Sequence, residues 1–459
     1  MRIVRAFVVL LLILLIGAGI TYYFAGKAAG PAIAIQAPAV IGQAGALDVT
    51  IDAPGGQLDD LSIAVSQGTQ TIPVLTLANA PGGAIAHEGA DRVRVKTSIG
   101  RKSLPDLRSG AAKVIVSATR PVLRGLRHVS SQETHDVQVR LEPPKISVVS
   151  TKHYINLGGS ELVVYRASPP DVESGVQVGE LRYPGFPASA AGVPGDPDVK
   201  VAFFALLYNQ PTDTPISLYA KDIAGNEAHA EFDHRVFPKT FRHSSIPLDD
   251  PYLRRVVLPI LEQSPEVKAS PDDLLQAFLK VNNDLRKINN EKIAALAKNT
   301  ANGILWHGAF QPFGNAQVES AFADYRTYIY GGKDVDHQVH LGFDLARTVN
   351  SPVTAGNDGK VIHAKYLGIY GNCIILDHGM GVQSLYGHLS AFQVHEGDEV
   401  KKGQQIGVSG QTGMAGGDHL HFSMLVNGQF VNATEWWDPH WIEDRIMRKL
   451  KEAGASGTQ

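Results

Sequence analysis

The stretch His419-Leu-His-Phe-Ser-Met-Leu-Val426 determines how the C-terminal third of this 459-residue chain is interpreted. The run after the histidines is largely apolar and strand-like, and in a strand residues i and i+2 point to the same face. An earlier segment, His340-Leu-Gly-Phe-Asp344, puts an imidazole and a carboxylate on one side, whether it is helical or extended. Either pair could contribute ligands to one metal ion, although each pattern alone is common by chance.

The sequence around these two segments is also rich in histidine. Ten of the 17 histidines lie between His307 and His440. A third element, Tyr386-Gly-His388-Leu389, follows the strand-like run Cys373–Asp377 and a glycine-rich turn at Gly379–Gly381. This concentration of imidazoles indicates a metal centre.

Taken together in this order, the motifs resemble those of the M23 family of zinc metallopeptidases, also called LytM or lysostaphin-type peptidases. The resemblance covers residues 305–441 of the chain. The motifs that produce it are His340-x-Gly-x-Asp344, Ser351-Pro-Val-Thr-Ala355, Gly371-Asn-Cys-Ile-Ile-Leu-Asp-His-Gly379, Tyr386-x-His-Leu389, Gly397-Asp-x-Val-Lys-Lys-Gly403, Gly410-Gln-Thr-Gly413 and His419-Leu-His-Phe422.

The resemblance implies an antiparallel-β LytM/M23 peptidase domain over residues 301–445 and one Zn²⁺ per chain. In the family pattern the zinc ligands correspond to His340, Asp344 and His421, and the catalytic histidines that do not bind zinc correspond to His388 and His419. None of these residues is substituted. The remaining histidines of the region fall outside the pattern and are interpreted as solvated: His307, His337, His363, His378, His395 and His440.

General chemistry is consistent with this ligand set. Three protein ligands leave a fourth zinc position for water, and zinc lowers the pKa of that water toward about 7. A neutral imidazole can then take the proton of the water, and a protonated one can stabilise the oxyanion. His388 and His419 suit these two roles, and which of them is the base stays open.

The N-terminus predicts a membrane segment. Arg2 and Arg5 precede the uncharged stretch Ala6–Phe24, whose length matches the hydrocarbon core of a bilayer. We interpret residues 1–28 as a cytoplasmic tip and a retained single-pass anchor, with the arginines inside. The alternative is a cleaved signal peptide, because small residues follow the apolar stretch.

The middle of the chain is predicted to be mainly β. Short alternating runs such as Leu47–Ile51 indicate a β-rich domain over 31–142, and a second, immunoglobulin-like domain is predicted over 146–240. We interpret both as β-sandwiches that act as spacers, since neither contains a catalytic constellation. A C-terminal tail over 446–459 completes the chain.

A short helical connector is predicted over residues 249–298. One helix starts after Asp250 and is bent or ended by Pro259. A second begins with Ser270 as its N-cap and repeats apolar residues at three- and four-residue steps. The segment is either a packed connector or a regulatory arm lying across the active site, and the sequence leaves both open.

Charge and cysteine content narrow the function classes. Forty-two basic and 45 acidic side chains give a formal charge of -3 without a basic block, which argues against nucleic-acid binding. The single cysteine, Cys373, lies in an apolar run and is predicted to be a buried, inert thiol.

These observations and the resemblance predict a zinc metalloendopeptidase that hydrolyses peptide bonds of peptidoglycan stems or cross-links. We expect it to be held in the inner, cytoplasmic membrane by one helix, with its catalytic domain in the periplasm or outside. Peptidoglycan is the expected partner. This location is also compatible with a regulatory protein of the envelope as a second partner. The alternative is a non-catalytic LytM-type module that recruits or activates another cell-wall hydrolase.

Overall fold

A computed structural model describes residues 2–454 of the chain. The mainly β architecture predicted from the sequence is confirmed, with 42% of the chain in strands and 22% in helices. The chain forms two compact units. The first unit comprises the chain up to Pro143 together with the later loop Lys221–Glu227. The second comprises Pro144–Ala220 and the residues from Ala228 onward.

The N-terminal helix α1 (Arg2–Ala25) has no buried residue. Its mean hydropathy of 2.8 and its length are sufficient for one passage through a bilayer, and a signal sequence would meet the same criteria. The helix includes the whole apolar stretch predicted from the sequence.

The rest of the first unit is a sandwich of two sheets with strand orders β1-β3-β7-β6 and β2-β9-β8-β4-β5. Alternating apolar residues of both sheets, such as Val49 and Val114, form one core. The strands are β1 Ala32–Gln36, β2 Val40–Ile41, β3 Gly45–Asp52, β4 Asp60–Gln67, β5 Gln70–Thr76, β6 Ile85–His87, β7 Arg92–Ile99, β8 Gly110–Val122 and β9 Arg127–Val139.

The second unit begins with two four-stranded sheets, β10-β12-β16-β15 and β14-β13-β17-β18, and a short parallel pair, β11-β19. Apolar residues of facing strands, including Val164 and Val176, are fully buried. The strands are β10 Lys145–Val148, β11 His153–Asn156, β12 Ser160–Ser168, β13 Glu173–Val178, β14 Leu181–Pro184, β15 Phe186–Pro187, β16 Val199–Ala205, β17 Ile216–Lys221, β18 Glu227–Glu231 and β19 His234–Phe237.

The helical segment that follows departs from the sequence-based expectation at its second N-cap. Helix α2 (Asp250–Gln263) continues through Pro259, so of the two predicted alternatives the helix does not end there. Helix α3 (Leu274–Leu279) has Asp273 as its N-cap, not Ser270, because the Asp273 carboxylate accepts the Gln276 N–H at 3.0 Å. A π-helical turn (Lys280–Leu285) then leads directly into α4 (Arg286–Leu296).

The C-terminal part contains the sheet β21-β24-β32-β28-β27-β26-β30, with β33 paired to β32, and two three-stranded sheets, β20-β22-β23 and β25-β31-β29. The strands are β20 His243–Leu248, β21 Gln317–Ser320, β22 Asp324–Tyr330, β23 Lys333–His340, β24 Phe343–Ala346, β25 Pro352–Thr354, β26 Gly359–Tyr366, β27 Asn372–Asp377, β28 Val382–Leu389, β29 Ala391–Phe392, β30 Glu399–Val400, β31 Gln405–Val408, β32 Leu420–Val426 and β33 Gln429–Val431.

One apolar core extends through the second unit, from Ile155 to Leu450. Helices α5 (Ala433–Trp437), α6 (Pro439–Ile442) and α7 (Arg448–Glu452) close the chain, with a π-helical turn over Glu443–Met447. Residues 446–454 of the predicted C-terminal tail are therefore mostly helical, and residues 455–459 lie outside the described residues. The domain boundaries inferred from the sequence remain predictions.

Candidate metal centre and catalytic cleft

Neighbouring strands bring the first three predicted site residues together. His340 is the last residue of β23, Asp344 lies on β24 and His421 lies on β32. Asp344 and His421 are direct partners in the antiparallel register of β24 and β32. Only two residues separate β23 from β24, and His340 Nε2 lies within 3.0 Å of both Asp344 and His421.

The inward-facing atoms of these residues lie close to one another. His340 Nε2 is 2.9 Å from Asp344 Oδ1 and 3.0 Å from His421 Nδ1, and His421 Nδ1 is 3.0 Å from Asp344 Oδ1. All three side chains are buried. The group therefore has the size and composition of a set of metal ligands.

Hydrogen bonds on the outer side of each ring fix its tautomer. His340 Nδ1 lies 3.1 Å from the carbonyl of Ala321, which can only accept, so Nδ1 bears the hydrogen. His421 Nε2 lies 3.0 Å from Ser423 Oγ, and that hydroxyl donates its own hydrogen to the Leu341 carbonyl. In the neutral rings, both inward nitrogens therefore present lone pairs to the Asp344 carboxylate.

His388 and His419 lie beside this group. His419 Nε2 is 3.5 Å from Asp344 Oδ1, and the His388 and His419 rings are 4.8 Å apart between centroids. Their outer nitrogens lie 2.8 Å from the Thr412 carbonyl and 2.9 Å from the Gly417 carbonyl, respectively. Both rings thus also turn an unprotonated nitrogen toward the cleft when neutral.

His388 has an unusual backbone conformation that aims its ring. Its φ is +63°, a left-handed value that is uncommon for a residue other than glycine. The residue lies near the end of β28, next to Gly387, which is the register partner of His421. Such conformations cluster at functional sites, where the surrounding structure maintains them.

Burial and charge act in opposite directions on the ionisable groups. Burial raises the pKa of Asp344, but the imidazoles of His340, His419 and His421 outweigh it and lower the pKa well below its usual value. Burial lowers the pKa of His421 to about 4 and lowers that of His388 well below its usual value. Burial also lowers the pKa of His419, but the Asp344 carboxylate more than compensates and the net shift is upward.

The residues that hold the three central side chains in place were not found by sequence reasoning. One Arg326 amino group donates to Asp344 Oδ2 and to Ser320 Oγ, both at 2.9 Å. Ser320 Oγ also lies 3.2 Å from His340 Nδ1. Arg326 therefore binds the carboxylate oxygen that faces away from the histidines, which leaves Oδ1 directed at them.

Gly342, the glycine between His340 and Asp344, has a steric role. A Cβ at this position would lie 2.6 Å from both His421 Nε2 and Ser423 Oγ, closer than real Cβ contacts. Any side chain at position 342 would therefore displace the hydrogen bond that sets the tautomer of His421. The Gly in the motif His-x-Gly-x-Asp follows from this contact.

A cleft of about 460 Å³ opens onto the five histidine and aspartate side chains. One wall comes from the peptidase sheets and the loops at Ile369–Tyr370 and Met414–Gly417. The other comes from upstream residues, including Ile246 on β20, Tyr252 on α2 and Arg286 on α4. The segment predicted as a connector therefore lines the cleft.

Other single residues were predicted with mixed success. Cys373 is fully buried, as expected, and burial raises the pKa of its thiol. His337 is exposed, as expected, and lies on β23. The prediction for His378 is wrong: this ring is fully buried and is bonded to the Asp358 carbonyl and to Ser384 Oγ, so its polar atoms are satisfied without solvent.

Comparison with known proteins shows which family this part of the chain resembles. Residues 338–433 match the model of Peptidase family M23. The chain is 43% identical over 95 residues to DD-carboxypeptidase/endopeptidase Mpg of Neisseria meningitidis serogroup B, covering 21% of this chain and 22% of that protein. It is 39% identical over 94 residues to peptidoglycan DD-endopeptidase ShyA of Vibrio cholerae, covering 20% and 22%, respectively.

Among solved structures, the catalytic domain of lysostaphin from Staphylococcus simulans is similar, with 31% identity and a TM-score of 0.26 over 28% of this chain and 98% of that one. The chain matches only 22% of the length of the two curated relatives. The match is nevertheless contiguous and contains every residue of the cluster described above. The C-terminal part of this chain therefore contains an M23 peptidase domain.

Proposed function

We propose that this protein is a zinc metalloendopeptidase of the cell envelope that cleaves peptide bonds in peptidoglycan. The observation that carries the proposal is the meeting of three acceptor atoms, His340 Nε2, His421 Nδ1 and Asp344 Oδ1, within 3.0 Å of one another. In the neutral tautomers no hydrogen is available between them. A cation at the centre would stabilise a buried group of this kind.

The chemistry of the group fits zinc. Two imidazole nitrogens and one carboxylate oxygen are ligands that zinc accepts, and three protein ligands are typical of a catalytic zinc rather than a structural one. We assign these three positions to His340, Asp344 and His421. Arg326 and Ser423 act as positioning residues, since each is bonded to a ligand on the side away from the centre.

When bound, zinc would supply a Lewis acid that makes water available as hydroxide near neutral pH and polarises the scissile carbonyl. His388 and His419 lie on the open side of the three ligands, with their inward nitrogens facing the cleft. One neutral ring accepts the proton of the attacking water and returns it to the departing amine. The other, when protonated, donates to the oxyanion that forms on the carbonyl.

The substrate is inferred from the relatives and from the N-terminus. Both curated relatives are named for peptidoglycan or DD-peptidase activity. We infer that α1 is a retained anchor in the inner membrane, with Arg2 and Arg5 on the cytoplasmic side. The peptidase domain would then lie in the periplasm, where it meets cross-linked stem peptides, and D-alanyl–diaminopimelyl bonds are the proposed site of cleavage.

Metal content and hydrolysis of one defined substrate test the proposal. The full chain, purified in detergent, should contain about one zinc and should cleave a cross-linked stem-peptide dimer into monomers. A chelator should abolish cleavage, and added zinc should restore it. Failure to bind zinc, or zinc-loaded protein that leaves the dimer intact, would contradict the proposal.

A further inference from the structure

The cleft contains a cation that the proposed chemistry does not use. Arg286, the first residue of α4, lines the cleft together with the five histidine and aspartate side chains. Its side chain is half-buried. We propose that Arg286 determines specificity by binding a carboxylate of the substrate next to the scissile bond, an inference that rests on the proposed function.

The guanidinium of Arg286 is held by neutral groups. Its Nε donates to the Asn282 carbonyl at 3.0 Å, and one amino group donates to the Asn282 side-chain oxygen and lies 3.5 Å from Met414 Sδ. Among residues 2–454, its other amino group has no hydrogen-bond partner and no carboxylate lies within ion-pair distance. The charge is therefore oriented but not neutralised by the protein.

Two carboxylates on or beside the helical segment that carries Arg286 have other partners. Asp336 accepts from the amides of Asn282 and Asn283, at 2.7 and 3.0 Å. Asp284, on the preceding turn, pairs with Lys280 at 2.7 Å. A half-buried cation loses hydration, and an anionic group entering the cleft would offset that loss.

The helix that carries Arg286 is fixed by buried contacts and hydrogen bonds. Asn282 is fully buried, and Leu285, immediately before the arginine, is buried in the main core. On the next turn, Asn289 accepts the Ile369 N–H at 3.0 Å, and Asn290 accepts the Tyr370 hydroxyl at 2.9 Å. The helix is thus bonded to the loop that forms the facing wall, so the guanidinium keeps a fixed position in the cleft.

The position of the arginine defines the class of substrate. Arg286 and the five histidine and aspartate side chains line one cleft of about 460 Å³, so we place the group that meets Arg286 close to the scissile amide. In a D-alanyl–diaminopimelyl cross-link, the carbon that bears the scissile nitrogen also bears a carboxylate. The free amino group of Arg286 can donate a charge-assisted hydrogen bond to such a carboxylate, whereas an oligoglycine bridge offers no side-chain or neighbouring carboxylate.

Two stem-peptide dimers that differ in one group test this inference on the full chain. One carries the free carboxylate on the carbon bearing the scissile nitrogen, and the other carries a carboxamide there. The wild-type kcat/KM should be about 10- to 100-fold higher for the carboxylate peptide. In Arg286→Gln this ratio should fall to near 1, and Arg286→Lys should retain an intermediate ratio. A general defect in folding would lower both rates and leave their ratio unchanged.

The matched control is Lys287→Gln, because Lys287 is the adjacent cation, is exposed and lies outside the cleft. This variant should keep the wild-type ratio. A wild-type ratio of 1, or a ratio that survives in Arg286→Gln, would overturn the inference. If neither peptide is hydrolysed, the proposed function fails instead. Calorimetric titration then compares binding of the same two peptides. Loss of the carboxylate preference in Arg286→Gln would support the inference, and its retention would overturn it.

Discussion

His340 Nε2 and His421 Nδ1 face each other at 3.0 Å, and each ring has its only hydrogen on the opposite side when neutral. Two lone pairs at this distance repel each other, and the Asp344 carboxylate adds a third acceptor. Each ring donates its hydrogen outward, His340 to the Ala321 carbonyl and His421 to the Ser423 hydroxyl oxygen. The protein thus maintains an electron-rich centre that a bound cation would stabilise.

Removal of a ligand and removal of a catalytic histidine should have different effects. His421→Ala should lose zinc and activity together, because two ligands bind zinc far more weakly than three. His388→Ala should retain about one zinc and lose turnover by about 10²-fold or more, because its ring is assigned either to proton transfer or to binding the oxyanion. Metal analysis and dimer hydrolysis measure both quantities. Equal zinc loss in the two variants would contradict the assignment.

Arg326→Gln should weaken zinc binding without abolishing it. The substitution removes the charge-assisted bond to Asp344 Oδ2 and the bond to Ser320, so the carboxylate is free to rotate. Loss of such a partner typically lowers metal affinity about 10- to 100-fold. Competition with a chelator of known affinity measures the change. Lys333→Gln, at an exposed position on β23, is the control and should bind zinc as the wild type does.

The sequence was sufficient to select five side chains that lie together in the structure but not the residues around them. His340, Asp344, His388, His419 and His421 occur in an ordered set of short motifs, and pairing between distant strands brings their side chains together. Arg326 gives no such signal, because it lies 18 residues before the carboxylate it binds and no short motif links the two. Its role becomes visible only when β22 and β24 are placed in space.

The same limitation applies to the helical segment and to the C-terminus. The apolar spacing of Phe278, Val281 and Leu285 correctly predicted a buried helix face. It could not show what that face packs against, nor that Arg286 on the other side lines the cleft. The contact between Asn156 and Glu435 joins residues 279 positions apart, and no local pattern reports a contact of that range.

Glu435 should make stability depend on pH. Burial raises the pKa of this carboxyl to about 7, although Asn156 and the Ser160 N–H, both at 2.8 Å, act in the opposite direction. The folded protein therefore holds a proton that the unfolded chain releases above its lower pKa. The contribution to the free energy of unfolding is complete below about pH 4.5 and falls by about 3 kcal/mol as the pH rises to 7.

Chemical unfolding of Glu435→Gln across this pH range measures the effect. The stability difference between the variant and the wild type should change by about 3 kcal/mol from pH 4.5 to 7, with the wild type losing stability as the pH rises. Glu443→Gln, at a more exposed site, should follow the wild-type profile. A difference that is constant with pH would contradict the raised pKa of Glu435.

Two lysines of α7 should differ sharply in their effect on stability. Lys449 is fully buried, and its Nζ lies 2.8 Å from Glu161 and 2.9 Å from the Leu162 carbonyl. Lys449→Met leaves the Glu161 carboxylate buried without its cation, which should cost about 3–5 kcal/mol. Lys451 pairs with Glu443 at an exposed site, and Lys451→Met should cost at most about 1 kcal/mol. Equal losses on urea unfolding would show that α7 is not docked on β12.

Digestion of purified peptidoglycan sacculi tests the central claim most directly. Zinc-loaded full chain in detergent is incubated with sacculi, and the muropeptides released by a muramidase are then separated and identified by mass. We predict conversion of cross-linked dimers to monomers by the wild type and no conversion by His388→Ala with its zinc still bound. Unchanged dimers in the wild-type digest, with a known endopeptidase active on the same sacculi, would contradict the claim and favour a module that binds the cell wall without cutting it.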